Sequence, residues 1–233
     1  MNYVIIFFMD MRRLVISLFI VAAIVIAFYV IFFDSQNQAN QGNNGASDKS
    51  SIMYTQEQNS ANKSAEYDLA SPIDRAGERV TKKPFGIYVT PANSPVQPER
   101  FSGYHTGTDF EAFSDELEKD VPVKAICRGK ILRKEKASGY GGVLVESCEF
   151  GREPITVVYG HLDLASISKK VGDNLEASES IGNLGKNKSA ETDGERKHLH
   201  LGIHNGAEVN FLGYVPNQSQ LSGWIDACNY ICY

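Results

Sequence analysis

Residues 198–204 read His-Leu-His-Leu-Gly-Ile-His. Polar and apolar side chains alternate along the run, the period of a strand that turns one face to a core. His198 and His200 therefore point the same way, and His204 shares their face. Two imidazoles two residues apart on a strand form a recurrent metal-binding arrangement, which alone does not make a metal site. The two remaining histidines of the five fall in two more short motifs, His105-Thr106-Gly107-Thr108-Asp109 and Tyr159-Gly160-His161-Leu162. His105 and Asp109 are four apart, so on an extended segment they too share a face. Two imidazoles and a carboxylate suffice to hold a zinc ion (Zn2+) and leave its fourth position open, which separates a catalytic site from a structural one. The other histidines are then free to move protons beside the metal.

Outward from these motifs the pattern is β-rich. Strands are predicted over 85–89, 123–132, 142–148 and 154–159, with the glycines of 137–141 turning the second into the third as a hairpin. Residues 171–173 and 181–185 read as turn-strand units, and only 115–118 suggests a helical turn. The fold class is all-β, or β-dominated.

The N-terminal third reads differently. Residues 14–33 (LVISLFIVAAIVIAFYVIFF) carry no charge, and about 20 apolar residues cross a bilayer. Arg12 and Arg13 precede the run and Asp34 follows it, which places residues 1–13 in the cytoplasm and the rest of the chain on the far side of the membrane. A cleaved signal peptide would have a shorter apolar region followed by small residues, so a retained anchor is the preferred reading. Residues 34–72, rich in Gln, Asn, Ser, Ala and Gly, cannot bury enough apolar surface to order themselves and form a flexible tether. The folded domain is expected over 73–233.

Four cysteines lie in this exported part, where disulfides persist. Cys127 and Cys148 fall on the two arms of the predicted hairpin, and Cys228 and Cys232 are four apart. Three pairings remain possible. Zinc binding by these cysteines is disfavoured, because no Cys-x-x-Cys pair is present. The net charge of -5 gives no basic field for nucleic acid or for anionic wall polymers. Arg196-Lys197 is a local exception, read as a solvated loop.

Taken in order, the motifs resemble those of the lysostaphin-type (LytM-like) zinc endopeptidases, which cut peptide cross-links of bacterial peptidoglycan. The resemblance covers roughly residues 80–206. It runs from Phe85-Gly86 through Tyr104–Phe110, Val123-Lys124-Ala125, Gly129-Lys130-Ile131, Gly139-Tyr140-Gly141 and Tyr159–Leu162 to Val171-Gly172-Asp173, Ile181-Gly182 and His198-Leu199-His200. It implies a domain of antiparallel sheets with a groove, His105, Asp109 and His200 as zinc ligands, and His161 and His198 as unligated catalytic residues. It also implies a hydrolase of peptidoglycan peptide; joined to the anchor read above, the expectation is an enzyme single-pass in the cell membrane with its catalytic domain on the extracytoplasmic side. The alternative of another class is a non-catalytic module of the same fold that binds murein or activates an amidase.

Departures from the resemblance are local. An aromatic residue and Glu usually follow the His-x-His, whereas Leu201-Gly202-Ile203-His204 stands here. His204 is read as a solvent-facing strand end, because a fourth metal histidine would close the open position. The loop 186–197 is expected to wall the groove, and Phe211–Tyr214 with Trp224 to pack as a C-terminal cover. Tyr104 and Tyr140 are candidates for the cleft or for its rim.

Overall fold

The computed structural model describes residues 69–233. The apolar run 14–33 and the tether up to residue 68 lie outside the described residues. Among those described, no helix is long and apolar enough to cross a membrane.

Strands dominate, as the alternation predicts. The chain forms β1 (Tyr88–Val89), β2 (Gly103–His105), β3 (Gly107–Glu111), β4 (Pro122–Lys124) and β5 (Gly129–Ala137). It continues with β6 (Gly141–Phe150), β7 (Glu153–Gly160), β8 (Leu162–Asp163), β9 (Asn174–Leu175) and β10 (Ser180–Leu184). It closes with β11 (His198–Asn205), β12 (Tyr214–Val215) and β13 (Trp224–Ile225). The main sheet runs β13-β11-β7-β6-β5-β9, and β3 also pairs with β11. Two smaller sheets are β1-β2-β12 and β4-β10-β8. Every pairing among the described residues is antiparallel.

The alternation at 198–204 sorts the two faces of the main sheet. Leu199, Leu201 and Ile203 are fully buried in the principal core with Phe110, Leu144, Val157 and Tyr159. The opposite face carries His198 and His200 and a smaller apolar cluster of Tyr140, Val143, Val145 and Val158. Both faces are therefore covered, and one of them carries the histidines.

The predicted strand 123–132 is interrupted. Ala125 and Ile126 are consecutive and both fully buried, which a single period-two strand facing one core does not allow. Pro122–Lys124 pairs instead with β10, and Ala125 exchanges backbone hydrogen bonds with Ser178 and Glu179. The chain then crosses to the main sheet and starts β5 at Gly129. Cys127 lies in that crossing and is bonded to Cys148 on β6, while Cys228 is bonded to Cys232. The hairpin from β5 to β6 closes with Ala137 opposite Gly141, where Gly139 and Gly141 take the positive φ of 85° and 69° that the turn requires.

Ordered packing begins ahead of residue 73. Leu69 belongs to the principal core, and the Ala70 N–H donates to the Ile126 carbonyl. Residues 69–72, expected to belong to a flexible tether, are thus part of the packed domain.

Candidate metal centre

Three strands place the site. Antiparallel pairing sets His200 of β11 directly opposite Asp109 of β3, and His198 opposite Glu111. On the other side, β7 sets Gly160 opposite His200. Directly paired residues share a face, so one surface of this three-strand unit gathers both imidazoles and both carboxylates. His105 closes β2, with only Thr106 between it and β3, and brings a third ring. Glycine makes the space: a Cβ on Gly107 would lie 2.6 Å from His200 Nε2, and one on Gly160 would lie 2.5 Å from Tyr140 Cδ1. The glycines inside the His105–Asp109 and Tyr159–Leu162 motifs are therefore part of the site's construction.

Three polar atoms converge. His105 Nε2 and His200 Nδ1 are 3.1 Å apart, His200 Nδ1 and Asp109 Oδ1 are 3.1 Å apart, and His105 Nε2 and Asp109 Oδ1 are 3.3 Å apart. A tetrahedral zinc ion with bonds of about 2.0 Å has ligand–ligand edges of about 3.3 Å. The triangle therefore has the size of one face of such a tetrahedron. Proton placement agrees. His105 Nδ1 lies 3.2 Å from the Pro84 carbonyl, so it carries the hydrogen and leaves the lone pair on Nε2. His200 Nε2 lies 3.3 Å from the Tyr140 hydroxyl; with a hydrogen there, the lone pair sits on Nδ1. Each nitrogen that faces the triangle is thus free to ligate, with its ring held from behind. The donor set of two imidazoles and one carboxylate fits a zinc ion.

Burial sets the charges. It pushes His200 down to about 4. Burial, with the nearby His198, holds His161 well below its ordinary value. Both rings are neutral near pH 7, as ligation or proton uptake requires. Burial alone would raise the Asp109 carboxyl, but the adjoining His198 and His105 outweigh it and hold the carboxyl well below its usual range.

The two remaining histidines stand beside the triangle. His198 Nδ1 is 2.8 Å from the Arg196 carbonyl, which assigns the hydrogen to Nδ1 and the lone pair to Nε2. His198 Nε2 is 3.3 Å from Asp109 Oδ2, the oxygen outside the triangle. His161 follows β7 in the left-handed region, with φ of 63°, a conformation that costs a non-glycine residue on the order of 1 kcal/mol. Its ring lies 4.1 Å from that of His198, and its buried Nδ1 has no protein partner among the described residues.

All five residues singled out from the sequence, His105, Asp109, His161, His198 and His200, line one cavity of about 330 Å³. His204 does not line it and packs edge-on against Trp224, ring centres 4.8 Å apart, half-buried rather than solvent-facing. The wall of the cavity draws on further segments. Phe211–Tyr214, expected as a C-terminal cover with an aromatic wall as the weaker alternative, line the cavity, because β12 pairs with β2 and sets Tyr214 opposite His105. Lys83 and Tyr214 also line it, joined by a 3.0 Å hydrogen bond, and the Lys83 charge is neutralised by buried Glu99. Arg196 and Lys197 are not a solvated loop. Arg196 reaches Asp109 Oδ2 at 2.7 Å and grips both Glu111 oxygens. Lys197 is buried and donates to the Glu116, Leu117 and Lys119 carbonyls. The loop before them is ordered around buried Thr192, whose hydroxyl lies between the Lys186, Ser189 and Glu195 carbonyls.

A second grouping of metal-type residues, Cys127, Glu146 and Cys148, sits elsewhere in the domain. Its two sulfurs are bonded to each other and so are not thiolate ligands.

Residues 103–211, which hold all five histidines, match peptidase family M23. The solved structure of LytU is 27% identical, over 64% of this chain and 80% of that one, with a TM-score of 0.43. The catalytic domain of lysostaphin, the antimicrobial peptidase of Staphylococcus simulans, is 22% identical over 68% and 97%, with a TM-score of 0.45. A chain of the SpoIIIAH–SpoIIQ complex is 23% identical over 66% and 99%, with a TM-score of 0.44. Among curated proteins, none matches the chain. The His-x-x-x-Asp, Gly-His and His-x-His motifs all lie inside the matched segment, so the M23 match over residues 103–211 supports the lysostaphin-type, LytM-like peptidase family to which the motifs point.

Proposed function

We propose that this protein is a zinc-dependent endopeptidase that hydrolyses peptide cross-links of bacterial peptidoglycan, held at the outer side of the cell membrane by residues 14–33. The observation that carries the proposal is the triangle of His105 Nε2, Asp109 Oδ1 and His200 Nδ1, with edges of 3.1–3.3 Å and its ring nitrogens oriented from behind. These three residues would hold the metal. A bound zinc ion supplies a Lewis acid that polarises a peptide carbonyl and acidifies water.

The chain's own residues would handle the protons and the charge. His198, its Nδ1 hydrogen on the Arg196 carbonyl, offers the Nε2 lone pair to a water proton. The imidazolium so formed donates to Asp109 Oδ2 at 3.3 Å, which stabilises it where it arises. His161, whose Nδ1 has no partner among the described residues, can donate a hydrogen bond to the carbonyl oxygen as negative charge develops, and the proton that His198 took from water is the one passed on to the leaving amine. Burial and the Asp109 charge keep the Tyr140 phenol protonated, so its hydroxyl remains a donor in the cavity. Phe101, Phe211 and Leu212 give the same cavity an apolar side, which excludes water from the polar cluster.

The membrane placement is supported by the uncharged run 14–33 with its preceding arginines and by two disulfides in the domain, which persist in oxidising compartments. The deciding experiment measures zinc content and the release of new amines from purified peptidoglycan by the same preparation. An enzyme carries one zinc and releases amines. A protein with zinc and no release is the non-catalytic module, and one with neither refutes the metal site as well.

A further inference from the structure

Two carboxylates, Asp109 and Glu111, point from the same face of β3, and one guanidinium spans them. Arg196 Nε lies 2.9 and 2.8 Å from the two Glu111 oxygens, and Nη2 lies 2.6 Å from Glu111 Oε1 and 2.7 Å from Asp109 Oδ2. The Arg196 side chain is only 12% exposed, and those of Glu111 and Asp109 are 10% and 3% exposed. We propose that Arg196 is a positioning residue for Asp109: braced by Glu111, it holds Oδ2 and commits the carboxylate to presenting Oδ1 alone to a metal ion. This rests on the metal-site reading above and adds to it the group that fixes how Asp109 takes part.

A carboxylate is free to turn about its Cβ–Cγ bond and can offer a cation either oxygen or both. With Oδ2 in a charge-assisted hydrogen bond, that turn breaks one of the stronger contacts available to it. The guanidinium cannot follow the carboxylate round, because its Nε edge is fixed on Glu111. Strand pairing keeps the three together, since Glu111 faces His198 across the ladder and Arg196 precedes His198 by two residues. The role is one of orientation and not of charge. A lone arginine beside a divalent cation would repel it, but Glu111, which also takes the exposed Lys82 at 3.5 Å, offsets that charge, so the pair adds mainly geometry. A lysine could supply the charge without the fork.

Two variants keep the net charge of the site and remove the brace: Arg196→Lys, and the double change Glu111→Gln with Arg196→Gln. Zinc affinity is measured on the purified full-length protein in detergent by competition with a chromophoric chelator, and the visible spectrum of the cobalt-substituted protein is recorded alongside. Both variants are expected to bind zinc about 10- to 100-fold more weakly, the usual effect of losing a partner of a metal ligand. Their cobalt spectra are expected to change as Asp109 gains freedom to offer its second oxygen, which alters the coordination that the bands report. Affinity within about twofold of wild type, well short of that loss, together with an unchanged cobalt spectrum in both variants overturns the proposal. Should the double variant fail to fold, Arg196→Lys decides the matter, since it keeps the charge and most of the side-chain stem. A wild-type protein that binds no zinc overturns the metal-site reading itself, which separates the two failures.

Discussion

Asp109 is where the demands on the site meet. One oxygen belongs to the triangle with His105 and His200, and the other takes Arg196 and His198. Its burial is tolerated only because cationic and imidazole partners surround it. If the division of labour is right, the five residues separate into two classes on substitution. His105→Ala and Asp109→Ala should each abolish stoichiometric zinc. His198→Ala should keep zinc and lose roughly 10²- to 10⁴-fold in kcat, the range of a general acid–base group. Elemental analysis beside a peptidoglycan hydrolysis assay tests this, and full zinc in both the His105→Ala and the Asp109→Ala proteins would sink the assignment. These residues are legible in the sequence because their chemistry lies in residue type and spacing. Arg196 is not, since in Gly194-Glu195-Arg196-Lys197 an arginine reads as a solvated charge. One signal is available: Asp109 and Glu111 share a strand face, and two buried acids side by side need a cation.

At the level of elements, the alternation at 198–204 predicts a strand and the strand forms, because apolar and functional residues are already sorted to opposite faces. The hairpin after 132 is legible for a similar reason, its glycines supplying the positive φ of the turn. The break within 123–132 is not legible, since Ala125 and Ile126 pack on both sides and no local pattern shows a chain changing sheets. The glycines carry the sharper test. A methyl group on Gly107 would press on the His200 ring from 2.6 Å, so Gly107→Ala should displace one vertex of the triangle. Zinc affinity is expected to fall by about tenfold or more while the far-UV circular dichroism stays that of the wild type. Unaltered affinity would mean that the ring has room this geometry denies it.

Over the whole molecule, the site leans on chain beyond the matched segment 103–211. The Lys83 carbonyl accepts from the Asp109 N–H, the Pro84 carbonyl orients His105, and buried Arg79 bonds the Glu111 carbonyl and Glu116. The stretch 79–84 thus also buttresses β3, a long-range arrangement that spacing along the sequence does not encode. Away from the site, burial pushes Glu146 up to about 8, against the opposing hydrogen bond from Tyr159 and with the Glu179 charge adding to it. Between the ordinary carboxylate value near 4.5 and 8, the unfolded chain gives up this proton while the folded one keeps it. Stability should therefore fall as pH rises through that window. Relative to Glu146→Gln, the wild type should lose up to about 1.4 kcal/mol per pH unit there, read from denaturant midpoints at about pH 5 and pH 8, the two ends of the window. Parallel profiles for the two proteins would refute a buried neutral carboxyl. The most direct test of the account is anomalous diffraction at the zinc edge from crystals of the protein. It should show a single ion about 2.0–2.2 Å from His105 Nε2, Asp109 Oδ1 and His200 Nδ1, with His161 and His198 unligated. An ion held by His161 or His198, or no ion in crystals grown with zinc, would contradict it.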